Sequence, residues 1–502
     1  MKKTPLLLII IFALALAVRF LWFPQNIYFG FDQARDAFIS QEIYQNHDLK
    51  IIGPSAASEG LYHGPAYWYL IGPVYLLFRG NPSGPLALLI ILNALGVFLI
   101  FYLGKKLFDQ KTGLLAAFLY AISFAQTQYA FYFGNPAPAI LTIMLFYLGW
   151  LMLIFYQNPW GWLLIGLNLG FSIQFEFFLI YLFTAVILFL IFFRKEIKKS
   201  FKLKFFLIGL LGFIFSISNF ILAEFKFGFK TTKTLFNLIF NHKEATVKLA
   251  TSTFTGRLGQ EVIYNLFSFW PKISRFLAVA LILSLVFFLI KKSKFRKQMA
   301  FLLIWLGSNL FLDIFRPSQL YYVGIGLSAG LIIFVAWLLV EIFNFKKIFF
   351  FFFLAVIILS NSLLILRQNP KGSLKEIYVQ EGMMLKDEKT VVDKIYQDAA
   401  GQPFVVNALM MPYKIKTTWA YLFNWYGQKK YGYLPFWGGE DVPGYPGMLP
   451  HDEKLKTPRY AILEPPRGIP EYLKQEFLDS ENGYGYPLWE SKIGSFVIQK
   501  RP

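Results

Sequence analysis

Apolar runs, most of them of bilayer-spanning length, recur along this chain, and nothing else in it constrains the fold as strongly. They fall at 5–23, 85–103, 113–131, 136–156, 160–173, 177–193, 205–223, 276–290, 299–315, 320–343 and 348–366. About 20 apolar residues in a helix match a hydrocarbon layer of roughly 30 Å. Lipid offers no partner to a free backbone N–H or C=O, so such runs must be helices. The chain therefore reads as a polytopic α-helical membrane protein. A further run, 65–78, has fourteen residues. That is short for a crossing and suits an interfacial or re-entrant helix.

Charge decides how that short run is counted. With eleven spans, Lys2 and Lys3, the loop at 104–111, the cluster at 194–204, the cluster at 291–297 and Lys346 with Lys347 share one side. By the positive-inside rule that side is the cytoplasm. Counting 65–78 as a crossing would turn those clusters outward. The expectation is thus about eleven transmembrane helices in a cell (plasma) membrane, with a cytoplasmic N-terminus. The N-terminus itself resembles a signal peptide, with Ala13, Ala15 and Ala17 as small residues near a cleavage point. The apolar run continues to Phe23, so a retained span is expected.

The net charge of +20 invites a nucleic-acid reading. It is rejected because most Lys and Arg lie in short loops between spans, where topology explains them. The chain has no cysteine, which removes thiol nucleophiles, thiolate metal sites and disulfides. Its four histidines form no H-x-x-x-H or H-x-H pair, so a histidine-rich metal site is not expected.

On this topology the outer face collects the chemically interesting residues. It receives a first loop at 24–84, a second at 224–275 and the C-terminal segment 367–502. The second loop holds two amphipathic stretches expected to lie on the membrane surface. The C-terminal segment turns polar and rich in Gly, Pro and Tyr, and reads as a small extracytoplasmic α/β domain. Its elements are expected as a helix at 383–399, a strand at 404–408, a helix at 419–431 and strands at 460–463 and 495–498. Residues 1–366 would form the transmembrane domain.

Ionisable groups concentrate in the first loop, which carries Asp32, Arg35, Asp36, Glu59 and His63. Asp32 has two readings: the N-cap of a helix starting at Gln33, or a carboxylate at the mouth of a membrane cavity, placed to take a proton from a substrate hydroxyl. His63 could ligate metal, donate to a phosphate or fix its loop. Further polar residues sit at outer span ends: Asn135, Gln174, Glu176, Glu224, Arg316, Gln319, Tyr321 and Tyr322. Groups of this kind beside lipid are costly and usually mark a cavity or pathway. Glu224 could instead pair with Lys226 and Lys230, and Arg316 could hold a phosphate or snorkel to headgroups.

Absent motifs narrow the chemistry. There is no G-x-x-x-x-G-K-[ST] loop, no G-x-G-x-x-G, no D-x-D pair and no G-x-S-x-G elbow. An enzyme acting outside without a nucleotide-binding element would meet its activated donor in the membrane, as a lipid-linked phosphosugar would be met. A polysaccharide polymerase or ligase, a flippase of lipid-linked glycans and a secondary transporter remain as alternatives.

The stretch FGFDQARDAF, followed by GPSAASEGLYHGPAYWYLIGPVYLL, resembles the first outer loop of the C-superfamily membrane glycosyltransferases. The resemblance is to the family 39 branch of protein-O-mannosyltransferases and aminoarabinose transferases. That branch carries aromatic-Asp-Glu-x-Arg, which Phe31, Asp32, Gln33 and Arg35 match except that Gln33 replaces the glutamate. NPAPAIL and NFILAEFKFGFKTTKTL resemble later family segments. The resemblance implies inverting transfer of a sugar from a polyprenyl-phosphate donor to a protein, glycan or lipid hydroxyl. Asp32 would be the general base, and Arg35 and Arg316 would meet the phosphate. Asp36, Glu59, His63, Asn135, Gln174, Glu176, Glu224, Gln319, Tyr321 and Tyr322 would bind substrate. Some relatives need a divalent metal and others do not; the residues assign no ligand set and require no cofactor.

Overall fold

The computed structural model describes residues 3–56, 60–240, 254–291, 293–315, 321–374, 377–378, 380–451 and 458–502. Glu59, Arg316 and Gln319 lie outside them. The chain divides into two compact units. The first comprises Met1–Leu21, Lys50–Tyr67 and Leu89–Arg367; the second comprises Trp22–Leu49, Trp68–Leu88 and Gln368–Pro502.

Five helices among the described residues are long and apolar enough to cross a membrane: Ser83–Leu107, Ala139–Tyr156, Pro271–Lys291, Leu327–Phe345 and Lys347–Lys371. Three bent pairs raise that number to eight. Thr4–Phe20, Ala66–Leu77 and Gly161–Phe175 are apolar but shorter. At about 1.5 Å per residue, Ala66–Leu77 rises only about 18 Å. The bend of 57° between Gln110–Ile122 and Phe124–Phe131 has a local cause at Ser123. The Ser123 hydroxyl accepts from Gln126 N (3.1 Å) to cap the second helix, and donates to Asn265 Oδ1 (2.7 Å).

A chain of buried polar side chains runs through the first unit. Arg19, with no exposed surface, donates from Nε to Asn93 Oδ1 (2.8 Å) and from Nη1 to the carbonyls of Ala15 and Ala121. Asn93 donates to Gln126 Oε1 (3.3 Å), Gln126 to Ser328 Oγ (2.8 Å), and Ser328 to Asn265 Oδ1 (3.0 Å). Asn265 donates to Glu261 Oε2 (2.9 Å), and the Tyr129 hydroxyl donates to Glu261 Oε1 (2.5 Å). Such a chain satisfies groups that would be expensive if left unpaired in an apolar interior.

That arrangement corrects one expectation for the second loop. The helix Phe254–Asn265 packs on Phe124–Phe131, Ser274–Lys291 and Leu327–Phe345, and it buries Arg257, Glu261 and Asn265. It buries Phe254, Leu258 and Val262 together with those polar residues, so it does not lie on a surface. The other stretch forms Lys230–Phe240, and its continuation at 241–253 lies outside the described residues.

The second unit is built on a five-stranded sheet: β1 Val405–Leu409, β2 Phe436–Trp437, β3 Arg459–Leu463, β4 Trp489–Ile493 and β5 Phe496–Arg501, in the order β2-β1-β3-β5-β4. β1 pairs parallel with β2 and β3, while β5 pairs antiparallel with β3 and β4. On one face Tyr396 of Leu385–Ala399 meets Phe404 edge-on, and Trp419 meets Phe496. On the other, Phe477 of Glu471–Asn482 packs with Leu409 and Ala461. The expected strands and helices are present, and β2, β4 and Glu471–Asn482 are additional.

Backbone pairing ties the start of the first loop to the C-terminal segment inside this unit. Phe29 N donates to Met383 O (2.9 Å), Leu385 N donates to Ile27 O (3.0 Å), and the Tyr28 ring stacks on Tyr378 at 3.7 Å. Tyr421 adds a second tie, with its hydroxyl donating to Gly80 O (2.6 Å) and its ring edge-on to Phe38.

Candidate functional site

The helix Phe31–Gln45 begins at Gly30, not at Asp32. Gly30 takes the extended N-cap conformation, and its N–H donates to Gln33 Oε1 (3.1 Å). Asp32 therefore sits in the first turn, where a carboxylate complements the helix dipole, and its oxygens are not used for capping. The N-cap reading of Asp32 is corrected: Gly30 is the N-cap, and its N–H is satisfied by Gln33.

Three residues of this turn form a charged corner. Arg35 donates from Nη1 to Asp32 Oδ1 (2.6 Å), and from Nε and Nη2 to Asp36 Oδ1 (3.0 and 2.8 Å). Trp68 Nε1 donates to the same Asp36 oxygen (2.7 Å). The side chain of Asp32 is 60% exposed, that of Arg35 18% and that of Asp36 2%. Burial opposes the charged form of Arg35, but Asp36 and Asp32 outweigh it and hold the guanidinium well above its ordinary range. Burial, reinforced by Asp32 and opposed by Arg35 and Trp68, raises the Asp36 carboxyl above its usual value. Asp36 Oδ2 is buried without a partner. Of the two aspartates, only Asp32 offers a carboxylate that an incoming hydroxyl can reach.

A second corner lies in the first unit, where Gln174, Phe175 and Glu176 link Gly161–Phe175 to the 3-10 turn Phe177–Tyr181. His63 Nδ1 accepts from Phe177 N (3.1 Å), Gly64 N donates to Gln174 O (2.8 Å), and Asn135 Nδ2 donates to Phe175 O (2.6 Å). Gln174 Nε2 donates to Ser216 O (2.7 Å) and contacts Asn219 Oδ1. Glu176, with no exposed surface, accepts from Phe178 N (3.1 Å) through Oε1, while Oε2 is unpartnered. A Cβ on Gly64 would fall 1.5 Å from Gln174 Oε1, so only glycine allows this approach. Four residues picked from sequence meet here, and each is bonded to backbone. His63 is 6% exposed with Nδ1 occupied, the loop-fixing arrangement among its three readings.

The remaining candidates scatter within the first unit. Glu224 accepts from Thr231 N (3.0 Å) and Thr232 N (3.1 Å), capping the next helix in place of the expected lysine pairs. Tyr321 is buried with its ring 4.8 Å from Tyr129, and Tyr322 lies against Tyr132. Among the described residues, no group of three or more His, Asp or Glu gathers as a metal site. Sequence reasoning missed the Arg19–Glu261 chain and Trp68. A lone arginine inside an apolar run was the available signal for the former.

Residues 62–219 match the family model described as dolichyl-phosphate-mannose-protein mannosyltransferase. No curated protein matches the chain in sequence. In fold, the chain is similar to ArnT from Cupriavidus metallidurans bound to undecaprenyl phosphate, at 11% identity and TM-score 0.61, covering 98% of this chain and 97% of that one. It is also similar to the Archaeoglobus fulgidus oligosaccharyltransferase in the apo form, at 13% identity and TM-score 0.53, covering 83% of this chain. The match spans 63% of that enzyme's length. The same organism's oligosaccharyltransferase AglB, in complex with an inhibitory peptide and a dolichol-phosphate, gives 15% identity and TM-score 0.51, with 98% of this chain and 74% of that one covered.

Proposed function

Starting from a chain with the fold of the C-superfamily membrane glycosyltransferases, we propose that it transfers a sugar from a polyprenyl-phosphate-linked donor to an acceptor hydroxyl, with inversion. The supporting observation is the exposed Asp32 carboxylate, fixed by an arginine that is fixed in turn by buried Asp36, itself held by Trp68. Asp32 takes the acceptor proton as the acceptor oxygen attacks the anomeric carbon. The bond from that carbon to the phosphate oxygen breaks, and the polyprenyl phosphate leaves with the electron pair. General-base assistance of this kind accelerates by roughly 10²–10⁴-fold. The N–H groups of Arg35 that do not bind Asp32 or Asp36 are placed to meet the departing phosphate, where a fixed cation lowers the cost of developing negative charge. Asp36 is a positioning residue.

The donor class rests on the ligands held by ArnT and AglB, undecaprenyl phosphate and dolichol-phosphate. Sidedness rests on the basic loops, which set the N-terminus in the cytoplasm and Asp32 with residues 367–502 outside. The test is turnover of labelled polyprenyl-phosphate sugar by purified protein. Asp32→Asn is expected to lose at least about a hundredfold; unchanged turnover removes Asp32 from the reaction.

A further inference from the structure

One face of the C-terminal sheet is only half covered. Phe477 closes the part near Leu409 and Ala461. Next to it on the same face, Asn407, Arg459 and Arg501 line a cleft of about 1320 Å³. Small-molecule pockets usually hold roughly 300–1,000 Å³, so there is room for more than one ring. The loop after β2 forms a wall. A Cβ on Gly438 would sit 2.3 Å from Arg459 Nη1, and one on Gly439 would sit 2.4 Å from Asn407 Oδ1. The two glycines let this wall close directly on the floor.

The floor has more positive than negative charge. Arg459, 6% exposed, makes a two-pronged pair with fully buried Glu481 (Nε–Oε2 2.8 Å, Nη2–Oε1 2.7 Å). Among the described residues, Arg501, 1% exposed, donates only to neutral acceptors: Asn482 Oδ1, Gly485 O and Gln499 Oε1. Its Nε–H is buried without an acceptor. Glu490 reaches this arginine only through Gln499. Among the described residues two guanidiniums thus share one carboxylate, and a buried charge of this kind is stable only with a partner. An anionic group from outside would supply it, in the geometry arginine recognises best.

The rim calls for a different chemistry. Lys414 lies between Glu440 (3.1 Å) and Glu476 (3.4 Å), which sets strong donors beside strong acceptors. Hydroxyl groups, which give and take hydrogen bonds together, match such a rim. The ring of Tyr484, 56% exposed with the Arg459 guanidinium 3.9 Å from its centroid, adds an aromatic surface. A peptide strand has no edge to extend here, since Trp437 N already donates to Pro450 O (2.7 Å).

We propose that this cleft binds a saccharide bearing an acid group, the acid meeting Arg501 and Arg459 and the hydroxyls meeting the Lys414–Glu440–Glu476 rim. The site is separate in kind from the transfer chemistry, and binding alone tests it. Calorimetry on the intact protein in detergent would compare tetragalacturonate, mannose 6-phosphate, neutral maltotetraose, inorganic phosphate and tetraglutamate. At least one acidic sugar is expected to bind about tenfold or more tightly than maltotetraose, and the two acidic sugars separate carboxylate from phosphate as the preferred acid. Ser480→Trp, which places bulk in the cleft from an exposed helix position, should weaken that binding by at least tenfold with the unfolding temperature unchanged. Arg501→Gln should abolish the preference for acidic over neutral sugar. Equal binding of acidic and neutral sugars overturns the proposal, as does no binding of either. So does phosphate or tetraglutamate binding as tightly as the acidic sugar. Unchanged affinity in Ser480→Trp also overturns it, and keeps the test decisive if Arg501→Gln does not fold.

Discussion

Two corners carry the residues that the sequence marks as functional, and they are built in opposite ways. Around Arg35 the bonds are ionic, and one carboxylate, Asp32, stays open to solvent. Around Gln174 the bonds run to backbone, and the one carboxylate, Glu176, is sealed. Both drew attention as polar groups beside apolar spans. What separates them is access: a reactive carboxylate must be reachable, whereas a sealed one can only shape its surroundings. The first corner leaves a carboxylate within reach of an outside molecule, and the second holds a loop against a helix end.

The strongest way to break this contrast is Asp32→Asn, whose expected loss of at least about a hundredfold in turnover has no counterpart in the second corner. Next is a third carboxylate site. Glu464 is sealed as Glu176 is, and accepts from Trp419 Nε1 (3.0 Å), Gln380 Nε2 (2.9 Å) and Met411 N (3.1 Å). Burial pushes its carboxyl up to about 7, and raises neighbouring Glu388 well above the carboxylate range. A raised folded-state value means stability is full below about pH 4.5 and is lost as pH rises through about 7. Thermal unfolding of the detergent-solubilised protein should therefore fall between pH 5 and 8, by about 2–3 kcal/mol. Glu464→Gln should remove at least half of that fall, and an unchanged slope would refute the assignment.

Gly64→Ala tests the second corner directly. The added methyl must displace Gln174, at a cost of about 2 kcal/mol, seen as a lower unfolding temperature. Asp36→Asn should lower turnover about tenfold, or about 1.4 kcal/mol, because Arg35 loses its charged anchor; Asp36→Glu should recover part of it if the role is positional. Smallest of all, Glu176→Gln should leave turnover within about threefold. A hundredfold loss there would reverse the assignment of the two corners.

Much of this arrangement was legible in the chain. Apolar runs announce helices because lipid leaves the backbone no alternative, and the short run at 65–78 corresponds to a helix of only twelve residues, Ala66–Leu77. Asp32 and Arg35, three apart, were readable as neighbours on one helix face. The start of that helix was misplaced by two residues because Asp is a stronger N-cap than Gly in isolation, while Gln33 supplies the bond here. The buried chain from Arg19 to Glu261 was not legible, since its members come from five separate helices and no local spacing relates them. Helix Phe254–Asn265 was misread for a related reason. Amphipathicity shows that a helix has two faces, but not that neighbouring helices bury polar residues such as Arg257 and Glu261 along with its apolar ones. β4 was missed because Trp489–Ile493 carries Glu490 and Lys492 on a half-exposed edge, which weakens the apolar signal of a strand.

The pairing of Ile27 and Phe29 with Met383 and Leu385 has a bearing on biogenesis. The turn that presents Asp32 follows directly on a backbone segment whose partner, Met383 to Leu385, is synthesised only after all the intervening residues. Every crossing between them must be inserted first. A nascent or truncated chain lacking that last portion would have its aspartate but nothing to hold the stretch before it.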